Sequence, residues 1–193
     1  MSERNDPARD PRTADLRSRL DAPRTLDFEE GGPSARLVAE ILAGGSALGL
    51  YDRSDIAAWA LEVVEREAEP PTPVIELAMG SRLDDSAMAE LLHTVPGHFA
   101  PEAVRGALVG VVAVAVVSGR LDARSAARAL YTLCIDATGE LHELAHFDDG
   151  FCLAEDGSYG SPAEVAAALR ERLCAFERLA AGVPIPGRYA ANG

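Results

Sequence analysis

Residues 107–117, between Arg105 and Arg120, read Ala-Leu-Val-Gly-Val-Val-Ala-Val-Ala-Val-Val without one polar side chain. A bilayer span needs about 20 apolar residues, so this run is too short to cross one. A helix that is apolar around its whole circumference has to be covered by protein on every side. Pro101 suits its first turn and Gly119 its end, so the segment from Pro101 to about Ser118 is predicted to be the central helix of a bundle.

The flanking sequence supplies helices to cover it. Ser34 is placed to cap a helix carrying Leu37, Val38, Ile41 and Leu42, expected to end at Gly44-Gly45. Ser54 is taken as the cap of the next, where Ile56, Trp59, Ala60 and Val63 recur at helical spacing until Pro70-Pro71; Trp59 reads as core. Thr72-Pro73 opens a short helix, and Asp84 or Asp85 starts one through Met88, Leu91 and Leu92. Asp122 caps a helix with Ala126, Leu130, Leu133 and Cys134 on one face. A last helix is expected over 162–181, with Ser161 and Glu164 at capping-box spacing. Period-two alternation is missing, and only 151–153 and 183–185 suggest short extended pieces. The expected fold is therefore all-α, an antiparallel bundle or short helical-hairpin stack. Residues 34–193 form its single domain, behind a flexible, disordered tail over 1–33 with one transient turn near 14–20.

Charge restricts the partners. Asp and Glu total 31 against 18 basic residues, a net charge of −13, and every basic residue is Arg. Such a field repels phosphate backbones and anionic lipid, which argues against nucleic-acid and membrane binding and favours a basic protein partner. Cys134, Cys152 and Cys174 are irregularly spaced, which suits a reducing compartment, and residues 1–25 contain no apolar signal region. A cytoplasmic protein is expected.

One pentapeptide could carry chemistry. Residues 142–146 read His-Glu-Leu-Ala-His, and on a helix His142 and His146 share a face and could reach one zinc ion. The stretch resembles the HExxH motif of zinc metallopeptidases, which implies His142 and His146 as ligands and Glu143 as general base. Glu164, or alternatively Glu171, follows at a distance that resembles the gluzincin third ligand, although Glu164 also fits the capping box. The motif is expected on a short helix between Gly139 and a turn at Asp148-Asp149-Gly150. Asp149 and Cys152 stand where a metzincin would have its glycine and third histidine. A structural zinc site from Cys134, His142, His146 and Cys152 is a further arrangement. With neither, the two histidines are ordinary groups on an amphipathic helix whose Leu141, Leu144 and Ala145 face the core.

Other features carry less. Asp148, Asp149, Glu155 and Asp156 read as a solvated acidic loop without the pattern of an EF-hand. His93 and His98 flank Pro96-Gly97 and read as loop decoration. Cys174 is expected as an exposed thiol with acids nearby and no Lys or His beside it, a poor nucleophile. Nucleophile elbow, P-loop and dinucleotide fingerprint are missing, so no cofactor is expected, with zinc as the alternative.

Residues 51–60, Tyr-Asp-Arg-Ser-Asp-Ile-Ala-Ala-Trp-Ala, followed by Pro70-Pro71 and Ile75-Glu76-Leu77, pair with residues 153–160, Leu-Ala-Glu-Asp-Gly-Ser-Tyr-Gly. Together they resemble a group of small all-helical bacterial proteins, some of which are similar to immunity proteins of contact-dependent or polymorphic toxin systems. That resemblance implies a non-enzymatic protein that binds another protein. The alternative is a small zinc-dependent metallopeptidase or hydrolase built on residues 142–146.

Overall fold

In a computed structural model the described residues are 33–80 and 83–187. The tail expected over 1–33, with its turn near 14–20, lies outside them apart from Pro33. The helices are α1 (Ala35–Ala47), α2 (Arg53–Arg66), α3 (Thr72–Ala78), α4 (Asp85–Thr94), α5 (Pro101–Val117), α6 (Ala123–Cys134), α7 (Glu140–Glu155) and α8 (Pro162–Leu173), followed by a 3-10 turn (Glu177–Ala180). No strand occurs among the described residues, whether at 151–153, at 183–185 or elsewhere. Residues 151–153 belong to α7.

The apolar run sits at the centre. α5 packs against α1, α6, α8 and the 3-10 turn, and the α2–α3, α3–α4, α6–α7 and α7–α8 neighbours add helical hairpins around it. Residues 106–113, Ala115 and Val116 are all buried. Ile41, Leu42, Leu77, Leu130, Leu144, Leu169 and Phe176 join them in one contiguous apolar core. Trp59 belongs to that core, as expected.

Two glycines let the helices come close. A Cβ on Gly110 would stand 2.6 Å from the Leu179 carbonyl carbon and closer still to the Ala180 nitrogen, so the 3-10 turn lies directly on α5. On α1, a Cβ on Gly45 would collide with the Tyr51 ring. Gly44-Gly45 is thus a packing notch inside α1 rather than its end. The helix stops at Gly49, whose φ is +70°, with the Leu50 N–H returning to the Gly45 carbonyl. Tyr51 is buried in this notch and its hydroxyl donates to the Pro184 carbonyl at 2.7 Å. Burial pushes its phenol above the ordinary range, with the nearby Asp55 charge adding to the rise.

Caps fix the helix starts. Ser34, Asp84, Asp122 and Ser161 accept backbone N–H groups as their sequence positions predict. At Asp122 the Ser125 N–H holds the carboxyl below its usual range, helped by the Ser125 side chain. The cap of α2 is Asp52 instead of Ser54, because the Asp52 carboxylate accepts from both the Ser54 and Asp55 amides and Asp55 completes a capping box. The last helix is shorter than expected. α8 ends at Leu173, and tightening into the 3-10 turn presses Leu179 and Ala180 onto the glycines of α5.

The contact at Gly110 makes a direct prediction. Gly110→Ala gains about 1 kcal/mol of helix propensity, yet the added methyl meets backbone that cannot rotate away. A net loss of about 1–3 kcal/mol is expected, read as a lower urea midpoint. An unchanged or higher midpoint would contradict the close approach of the 3-10 turn.

Candidate functional site

α7 carries the motif, and it differs from the short helix expected. It runs for 16 residues, straight through Asp148-Asp149-Gly150. Two contacts explain this. Gly150 faces Val165 of α8, with 3.6 Å between the Val165 Cγ1 and the position of a glycine Cβ. Asp148 is held by Arg124 of α6 in a charge-paired hydrogen bond. Tertiary contacts thus override the turn-forming preference of an Asp-Asp-Gly sequence.

His142 and His146 do share a face, as the four-residue spacing requires. Their ring centroids lie 5.0 Å apart in an edge-to-face arrangement. Nδ1 of His142 stands 3.1 Å from the Ile135 carbonyl, so in the tautomer that carries a proton there it donates to that oxygen. His146 is exposed.

The carboxylates expected to join them are engaged elsewhere. Glu143 accepts from Arg172 of α8 at 2.8 Å, while the Arg172 guanidinium lies 5.7 Å from the Phe176 ring centroid. Glu164 closes the capping box, accepting the Ser161 N–H at 2.8 Å and the Ser161 hydroxyl at 3.0 Å. Glu171 lies further along α8, beside Arg172 and Ala175. Among the described residues, no three His, Cys, Asp or Glu side chains form a group that could hold a metal ion. The structure therefore brings together the histidine pair but not the third zinc ligand.

The cysteine arrangement does not assemble either. Cys134 is buried in α6 facing the core, and burial pushes its thiol up to about 11, against formation of the thiolate that zinc needs. Cys152 is exposed on α7, with Nη2 of Arg124 3.4 Å from its sulfur. Cys174 is exposed, as expected, and its thiol donates to the Arg170 carbonyl.

Arg124 is the residue that sequence reasoning missed. It ion-pairs with Asp148 and with Glu155 at 3.0 Å, and it stacks 5.5 Å from the Phe151 ring centroid. Of the acids expected in a solvated loop, Asp148, Asp149 and Glu155 are thus helical and Asp156 caps the helix end, and Asp148 and Glu155 clamp α7 to α6. Arg36 plays a similar part on the other side. It donates to the carbonyls of Leu92, His93 and Val95, which closes the end of α4, and pairs with Glu40 at 2.5 Å. His93 lies in the last turn of α4 and reaches Glu40 at 3.1 Å, so it joins α4 to α1 instead of decorating a loop. The alternating signs of Arg and acid along the chain were the available signal, but apart from the Arg36–Glu40 pair their partners lie about a full helix away or more.

The α7–α8 crossing leaves a groove of about 680 Å3. Its floor comes from Phe147, Val165 and Ala168, while Glu143, Glu164, His146 and Tyr159 also line it. A second depression of about 520 Å3 shares Glu143, Phe147 and Ala168 and continues to Glu171. Comparison of the chain with protein-family models, curated proteins and solved structures yields no match.

The Arg124 clamp is testable on its own. Arg124→Met keeps the stem packed against Phe151 but leaves the half-buried Asp148 unpaired. A loss of about 2 kcal/mol is expected, recovered in part by pairing it with Asp148→Asn. A thermal midpoint equal to that of the parent would contradict a structural role for the cluster.

Proposed function

We propose that this protein is a non-enzymatic, cytoplasmic protein-binding module that captures a basic protein partner through its acidic surface, as an immunity-like protein does. The observation that supports this most is where the charge lies. The chain carries −13, and among the described residues no polar or charged side chain is buried. That charge is therefore held at the surface, where it can steer a cationic partner into encounter. The Glu143 carboxylate of the one catalytic-looking motif is engaged by Arg172 of α8, Glu164 is engaged in the capping box of its own helix, and phosphate or anionic lipid would be repelled. Among the described residues no helix is long and apolar enough to cross a membrane.

Affinity capture from the source cell tests the reading. A basic polypeptide retained at low salt and released as ionic strength rises is the expected result. Capture of no protein at either salt level contradicts it.

The pairing of the His142 and His146 rings favours a second reading, a small zinc-dependent hydrolase with Glu143 as base. Its third ligand would have to be Glu164 or Glu171 after rearrangement, or a group outside the described residues. Under the protein-binding reading, elemental analysis of untagged protein purified without chelator gives far less than one zinc per chain, and His146→Ala leaves thermal stability unchanged. Stoichiometric zinc lost in His146→Ala would move the assignment to the hydrolase.

A further inference from the structure

We infer that the α7–α8 groove is the docking site and that its occupant is a cationic amphipathic helical segment of the partner, an assignment that rests on the protein-binding reading above. Three features of the groove define that segment. The floor, formed by Phe147, Val165 and Ala168, is apolar, and Gly150 on the facing helix adds no side chain to fill it. It fits branched or aromatic side chains, which a partner helix supplies in pairs at i and i+3 or i+4.

The second feature is the spacing of charge. Glu164 lines the groove and Glu171 the second depression that continues from it, seven positions apart on α8. At 1.5 Å per residue these carboxylates are separated by about 10 Å along the axis. Two cations at i and i+7 of a helix lying along α8 have the same separation, with the apolar pair between them. Glu143 adds a third carboxylate on the opposite wall, where Arg172 is already paired with it.

The third feature is Tyr159, which lines the groove and is 71% exposed. A large ring with a polar tip, unburied in the free chain, is the kind of side chain that anchors protein interfaces. The same charges select against other occupants. A second copy of the chain also carries −13, and nucleic acid or anionic lipid would meet the carboxylates with phosphate.

The test uses the full chain and a fluorescein-labelled, alanine-rich synthetic helix with Arg at i and i+7 and Leu at i+3 and i+4. A control peptide carries Glu in place of both Arg. Fluorescence anisotropy is expected to show salt-sensitive binding of the Arg peptide and none of the Glu peptide. Ala168→Arg, which fills the floor, and Glu171→Arg should each weaken binding tenfold or more. Ala163→Arg, exposed on the same helix but outside the groove, adds the same charge as Ala168→Arg and should leave affinity within about twofold. Circular dichroism melts matching the parent establish that the variants are folded.

Equal weakening by Ala168→Arg and Ala163→Arg overturns the groove, because net charge alone would then account for the binding. A change in the sedimentation of the peptide-free chain on Ala168→Arg overturns the partner assignment in favour of a second copy. No binding of the Arg peptide by the parent at low salt also overturns the groove. If a basic protein is still captured from the cell in that case, the acidic-surface reading survives, and if none is, both fail.

Discussion

The rest of the structure depends on the burial of one helix that has no polar side to offer to water. α5 is apolar all round from Ala107 to Val117, and leaving it exposed would forfeit roughly 25 cal/mol for each Å2 of apolar surface. Covering it demands contact on several sides at once. α1, α6, α8 and the 3-10 turn supply that contact. Close approach then follows from the glycines. Gly110 admits the backbone of Leu179 and Ala180, and Gly44-Gly45 admits Leu108 and Tyr51. The hydrogen bond from Tyr51 to Pro184 ties the end of the described chain to α1 and α2, so the segment after the 3-10 turn is held to the opposite end of the sequence.

Polar side chains have a different task. They do not enter the core; they fix how the outer helices sit against one another. Arg124 joins α6 to α7, Arg172 joins α8 to α7, and Arg36 joins α1 to the end of α4. Each guanidinium also lies over an aromatic ring, Phe151, Phe176 and Phe99 respectively, which keeps its stem packed while its charge meets a carboxylate or carbonyl. Glu143 serves in this set as the carboxylate that Arg172 meets.

Much of the fold was legible because its signals are local. The all-helical class, the extent of α5 and the caps at Asp84, Asp122 and Ser161 follow from apolar spacing and from side chains that reach only two or three residues ahead. The common face of His142 and His146 is equally local. What escaped depends on groups far apart in sequence. Gly44-Gly45 reads as a helix stop until Tyr51 and Leu108 are seen to need the space. Asp148-Asp149-Gly150 reads as a turn until Arg124, 24 residues earlier, is placed beside Asp148. Glu143 meets Arg172 across 29 residues, a pairing that no motif spacing encodes. The groove was hidden for the same reason, since Phe147 and Ala168 belong to different helices and only the crossing of α7 and α8 puts them on one floor.

Amide hydrogen exchange, read by mass spectrometry along the full chain, tests the central structural claim most directly. If α5 is the helix on which all others depend, its amides between Val109 and Val116 exchange only when the whole molecule unfolds, and they are the slowest in the protein. The outer helices, α4 and α7 among them, then open at lower free energy. Exchange in α5 that is as fast as in α4, or two groups of helices that lose protection independently with α5 in neither, would contradict the claim that one buried helix organises the fold.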